Sequence, residues 1–162
     1  MMRPVDKPKP MDYACTMSRV FTSQGTGAMV YVFSDDHCPP HIHARHRGDG
    51  WIARVEFSYL NSSVTLMSIT PLRNSPLQRT VNRLLADVAA ELPACRRAWW
   101  GTRQTTCLAS QWAAVLASGK VELSTGPGPD AKRIADASYD PDGEVLLVAF
   151  QDGTTTDVST RS

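Results

Sequence analysis

Two adjacent prolines, Pro39-Pro40, stand inside the stretch Asp35-Asp36-His37-Cys38-Pro39-Pro40-His41-Ile42-His43-Ala44-Arg45-His46, which also holds all four histidines of the chain. Proline lacks a backbone N–H and forces the residue before it into extended geometry, so no helix can run through this point. The chain must enter His41 extended, and His41–His46 reads as a strand. Side chains alternate across a strand, which puts His41, His43 and Arg45 on one face and Ile42, Ala44 and His46 on the other. Upstream, Met29–Phe33 is a run of strand formers. Downstream, Gly48-Asp49-Gly50 signals a turn into a further strand, Trp51–Phe57, with Arg54 and Glu56 on the face opposite Trp51, Ala53, Val55 and Phe57. With a fourth strand over 64–69, residues 29–69 form a small antiparallel meander.

The apolar period then changes from two to about 3.6. Leu77, Val81, Leu84, Leu85, Val88 and Leu92 make a core-facing helical stripe. Ser75, Pro76 and Gln78 supply an N-cap, a first-position proline and a capping box. A second short helix is expected over Ala94–Trp100, ended by Gly101. A third, carrying Leu108, Trp112, Val115 and Leu116, is expected to stop at Gly119. Ser124–Asp130 reads as a Gly/Pro linker. Strands follow over 133–139, 144–150 and 154–158, joined by Asp142-Gly143 and Asp152-Gly153 turns. The fold class is therefore α+β: a small antiparallel sheet with helices on one face, followed by a short C-terminal β-meander. The implied units are a disordered arm (1–16), a histidine-motif domain (17–123), a linker (124–131) and an acidic meander (132–162).

Charge divides along that boundary. The net charge of +1 combines an excess of five Lys/Arg over residues 1–123 with an excess of four Asp/Glu over 124–162. A mildly basic body can attract its own acidic tail or an anionic partner. No apolar run is long enough to span a bilayer. The N-terminus lacks the apolar core of a secretory signal. A cytoplasmic location is expected, with Cys15, Cys38, Cys95 and Cys107 reduced.

The body resembles a bacterial domain of unknown function, number four-one-six-zero, over roughly residues 17–103. Asp36, His37, Pro39, Pro40, His41, His43 and Ala44 match its Asp-His-x-Pro-Pro-His-x-His-Ala/Val motif. Ile42 stands where that family usually has Phe, and His46 where it has Tyr. The tail is similar to unknown-function family two-four-four-two through Leu146, Val148, Phe150, Asp152 and Gly153, in truncated form. The two families are often neighbouring genes. The resemblance implies a toxin–antitoxin-type protein whose toxin-like body acts on nucleic acid or a host factor and whose tail covers the active face in cis. The alternative is a non-catalytic binding, inhibitor or regulatory protein, of a mobile element for instance, acting on a protein partner.

Three chemistries fit the histidines. A metal site would use His41 and His43, two apart on a strand, with His37 or Asp36 from the loop and Zn²⁺, Ni²⁺ or Mn²⁺ as the divalent ion. A metal-free ribonuclease would use the histidines as acid and base, Arg45 to hold the phosphate and Asp36 to orient a ring. Both need the two imidazoles on a common open surface. A structural role would have Asp36 and the histidines hydrogen-bond the loop to itself, leaving the domain to bind protein or RNA. Cys38 is a further candidate as ligand or nucleophile. Pairing of the chain as a homodimer stays open.

Overall fold

A computed structural model describes residues 15–161. The chain is α+β, with two five-stranded antiparallel sheets and two helices. The first sheet runs in chain order: β1 (Met17–Thr22), β2 (Met29–Phe33), β3 (His41–His46), β4 (Trp51–Phe57) and β5 (Val64–Thr70). The helices follow as α1 (Gln78–Ala90) and α2 (Leu92–Arg103). The second sheet contains β6 (Trp112–Val115), β7 (Val121–Ser124), β8 (Ala131–Asp140), β9 (Val145–Phe150) and β10 (Thr155–Ser159), in the order β10-β9-β8-β6-β7. Of the expected N-terminal arm, residues 1–14 lie outside the described residues. Thr16 is tied to the first sheet by backbone hydrogen bonding with Ser34.

The turn at 47–50 sets the geometry that matters most. The Gly50 N–H donates to the His46 carbonyl at 2.9 Å, and Gly50 has φ +70, a conformation suited to glycine. His46 therefore pairs with Trp51, Ala44 with Ala53, Ile42 with Val55 and His43 with Arg54. Ile42 and Ala44 join Trp51, Ala53 and Val55 in the core, and His41 and His43 take the other face with Arg54. A one-residue slip would exchange these faces, so burial of Ile42 and Ala44 is what holds the histidines in place.

Several expectations change. β1 is a strand that its largely exposed residues do not announce; it is an edge, defined by pairing with β2. α1 begins at Gln78 with Leu77 at the cap and no side-chain cap bond, so Ser75 does not cap it. α2 runs through Gly101 and ends where Gln104 turns left-handed. The third helix is absent from the described residues. Gln104, Cys107 and Ser110 all have positive φ, which breaks the helical path, and Trp112–Val115 pairs instead with β7 and β8. Pairing overrides the helix propensity of its alanines. Consequently Ser124–Asp130 connects two strands of one sheet, and the three C-terminal strands share that sheet with β6 and β7.

One apolar cluster joins both sheets, from Val30, Ile42 and Trp99 to Ile134, Leu146 and Phe150. α2 lies against β1 and β2, and α1 against β5. A disulfide between Cys38 and Cys107, 69 residues apart, corrects the expectation of four reduced thiols. Closing so long a loop stabilises the fold by about 4 kcal/mol in the chain-entropy view. Such bonds persist in oxidising surroundings, which removes the argument for a cytoplasmic location that rested on reduced thiols. Cys38 is thereby unavailable as a ligand or nucleophile. Of the free cysteines, Cys15 is exposed and Cys95 is buried, and burial pushes the Cys95 thiol up to about 12, leaving it unreactive. No helix among the described residues is long and apolar enough to cross a membrane.

Candidate metal centre

The loop between β2 and β3 folds back so that its carboxylate meets the next strand. Asp36 N–H donates to the Phe33 carbonyl at 3.2 Å, and Asp36 Oδ2 accepts the Phe33 N–H at 2.8 Å. This reciprocal pair fixes the carboxylate under the end of β2. Its other oxygen, Oδ1, lies 2.9 Å from His43 Nε2 and 3.3 Å from His41 Nε2. One donor atom from each of Asp36, His41 and His43 lies within 4.8 Å of the other two.

Pro39 and Pro40 contribute more than stiffness. The Pro39 carbonyl lies 2.8 Å from His41 Nδ1. A carbonyl can only accept, so Nδ1 carries the proton and Nε2 of the neutral ring presents a lone pair to the cluster. Burial holds the His41 pKa below its ordinary 6.5, against the opposing pull of the Pro39 hydrogen bond, so the neutral ring is the resting form. That lone pair accepts from Arg54 Nη2 at 3.4 Å and lies 3.3 Å from Asp36 Oδ1. Fixing of the outer ring nitrogen by a carbonyl is the arrangement that orients metal-binding imidazoles.

Aromatic rings close the site. Tyr31 stacks on His43 with centroids 5.4 Å apart, and Phe33 meets it edge-on at 4.9 Å. Trp99 of α2 lies 5.4 Å from His41. His41 is 0 % and His43 8 % exposed. The two imidazoles do share one environment, with centroids 5.0 Å apart. The open surface expected for them is corrected: aromatic packing leaves His41 with no exposure and His43 with little. A cavity of about 320 Å³ borders Cys38, Pro39, Pro40 and Glu56, but none of the three donor residues lines it.

The other sequence candidates fall outside the cluster. His37 is exposed, its ring 6.1 Å from that of His41, and Asp36 takes the ligand position the loop was expected to supply. Arg45 is exposed on the shared face. His46 serves the turn: its Nδ1 accepts the Asp49 N–H at 3.0 Å and its ring stacks on Trp51. The cation beside the site is Arg54, whose Nη2 lies 3.4 Å from His41 Nε2. Its face was legible from the alternation of β4, but placing it opposite His43 required the hairpin register. The acidic tail docks elsewhere, through Tyr139 on Tyr59, the Ala137 carbonyl on Thr106 and the Thr160 carbonyl on Arg96.

No protein-family model matches the chain, and neither a curated protein nor a solved structure matches it.

The depressed His41 pKa has a signed consequence. The unfolded ring, at about 6.5, takes up a proton before the folded one does. His41's contribution is therefore complete above about pH 6.5 and is lost as pH falls from there through the folded value. Thermal melts of metal-free protein should shift to lower temperature between pH 7 and 5. Part of that slope should vanish in His41→Gln; an unchanged slope would refute the assignment.

Proposed function

We propose that the chain is a metalloprotein holding one divalent transition-metal ion, Zn²⁺ first among candidates, on Asp36, His41 and His43. The observation that carries this is the convergence of three donor atoms within 4.8 Å, one of them a ring nitrogen kept proton-free by the Pro39 carbonyl. Two imidazoles and a carboxylate suit zinc, manganese or iron(II), and three protein ligands leave coordination positions for water or substrate, as catalytic rather than structural sites do. Chemistry of this kind would serve the toxin-like body that the sequence resemblance suggests, acting on a small group that enters beside His43 and not on a polymer backbone. Metal-free cleavage of RNA by His41 and His43 draws no support from the geometry, because a fully buried His41 cannot reach a phosphodiester without rearrangement.

Protein purified without a histidine tag should retain metal near one equivalent, lose it to a chelator, and take up Zn²⁺ again with a rise in melting temperature. His43→Ala should abolish uptake. Wild-type protein that takes up no Zn²⁺, Mn²⁺, Ni²⁺ or Fe²⁺ under calorimetric titration would leave the triad as a hydrogen-bonded loop anchor only.

A further inference from the structure

Arg54 is the cation that the metal reading leaves unexplained. It is half-buried, and its Nε is buried with no hydrogen-bond partner. Its only side-chain hydrogen bond among the described residues is the 3.4 Å approach of Nη2 to His41 Nε2. It forms no ion pair among the described residues, although Glu56 stands two positions on in β4, on the same face. A guanidinium with spare donors out of full solvent is costly unless an anion meets it.

Resting on the metal assignment, we propose that Arg54 and the metal together bind a small oxyanion, a carboxylate or phosphate group, with one oxygen on the metal and another on the guanidinium. The Nη2 atom already stands beside the nitrogen that would ligate the metal, within reach of whatever occupies the next coordination position. A divalent ion and Arg54 bring three positive charges against the carboxylates of Asp36 and of Glu56, which pairs with His41 across the strands, so the residual positive charge is balanced by an anionic ligand and not by a neutral one. The planar fork of arginine matches two-oxygen anions, which lysine's point charge does not. Arg54 enters from β4, directly across from His43, and is itself only half-buried, so a small anion reaches the site along the guanidinium. Arg45, exposed on the face it shares with His43, extends the positive approach.

The test uses the full chain loaded with Co²⁺, whose visible spectrum reports its ligands. Inorganic phosphate and acetate are titrated separately into wild type, Arg54→Met and Arg54→Lys. Wild type should show a saturable spectral change with at least one anion, and which one distinguishes a phosphate from a carboxylate ligand. Arg54→Met should bind Co²⁺ at least as tightly as wild type but weaken the anion tenfold or more; Arg54→Lys should recover only part. If Arg54→Met does not fold, Arg54→Lys alone must show a weakening of threefold or more. Co²⁺ binding with no response to either anion, or with equal anion affinity in the variants, overturns the oxyanion proposal and spares the metal site. Failure to bind Co²⁺ overturns both.

Discussion

Replacing Asp36 with alanine should lower Zn²⁺ affinity at least 100-fold and, in metal-free protein, destabilise the fold by about 2–4 kcal/mol. The first effect follows from loss of one of three ligands, since even outer partners of such ligands are worth 10–100-fold. The second follows from what the carboxylate does without metal. It accepts the Phe33 N–H and partners His43, and it is 6 % exposed. Its removal orphans buried donors, each costing on the order of 1–3 kcal/mol. Asp36→Asn separates the two roles. It keeps an acceptor for Phe33 and should recover half or more of the stability, but not the metal. Calorimetric Zn²⁺ titration and urea denaturation read the two effects independently. Equal Zn²⁺ affinity in wild type and Asp36→Ala would remove the carboxylate from the site.

The second large effect lies away from the metal. Arg96→Met should cost about 3–4 kcal/mol, a large share of an ordinary domain's stability. Arg96 of α2 is 3 % exposed and makes no ion pair among the described residues. It is held by three backbone carbonyls: Nε donates to Ser58 at 2.9 Å, Nη1 to Thr160 at 2.8 Å and Nη2 to Asn61 at 2.8 Å. Its own carbonyl accepts the Tyr59 O–H at 2.6 Å. One side chain thus binds the corner after β4, helix α2 and the segment after β10. Hydrogen bonds to charged groups contribute about 1.5–3 kcal/mol each. The total is smaller than their sum, because the Asn61 carbonyl can rehydrate and the cost of burying the cation disappears with it. Methionine keeps the stem and removes every donor. Lysine should recover little, since an ammonium cannot span three carbonyls. Hydrogen exchange should show β10 loosening first. A loss below 1 kcal/mol with β10 protection intact would contradict this account.

Strands β2 to β5 of the first sheet were legible because their signals are local; the edge strand β1 was not. Alternation in Trp51–Phe57, the glycine turn at 48–50 and the proline pair each act over a few residues. They place His41 and His43 on one face with no reference to the rest of the chain. β6 was not legible. Its alanines favour a helix in isolation, and only pairing with β7 on one side and β8 on the other makes it a strand. Arg54 is an intermediate case: its face follows from alternation, its neighbour only from register. The closure of the site was invisible for a related reason. Trp99 belongs to α2, nearly sixty residues from His41, and reads simply as core until the two meet.

The chain's own order of residues determined the extended entry into His41, the pairing of its imidazoles on one side and the α+β class, because steric limits at proline and side-chain alternation need no distant partner. Tertiary structure decided that Asp36, not His37, completes the cluster, that Arg54 stands guard over it, and that Cys38 is bound to Cys107. Those outcomes depend on which buried groups find acceptors once separate segments come together, and no local rule specifies that.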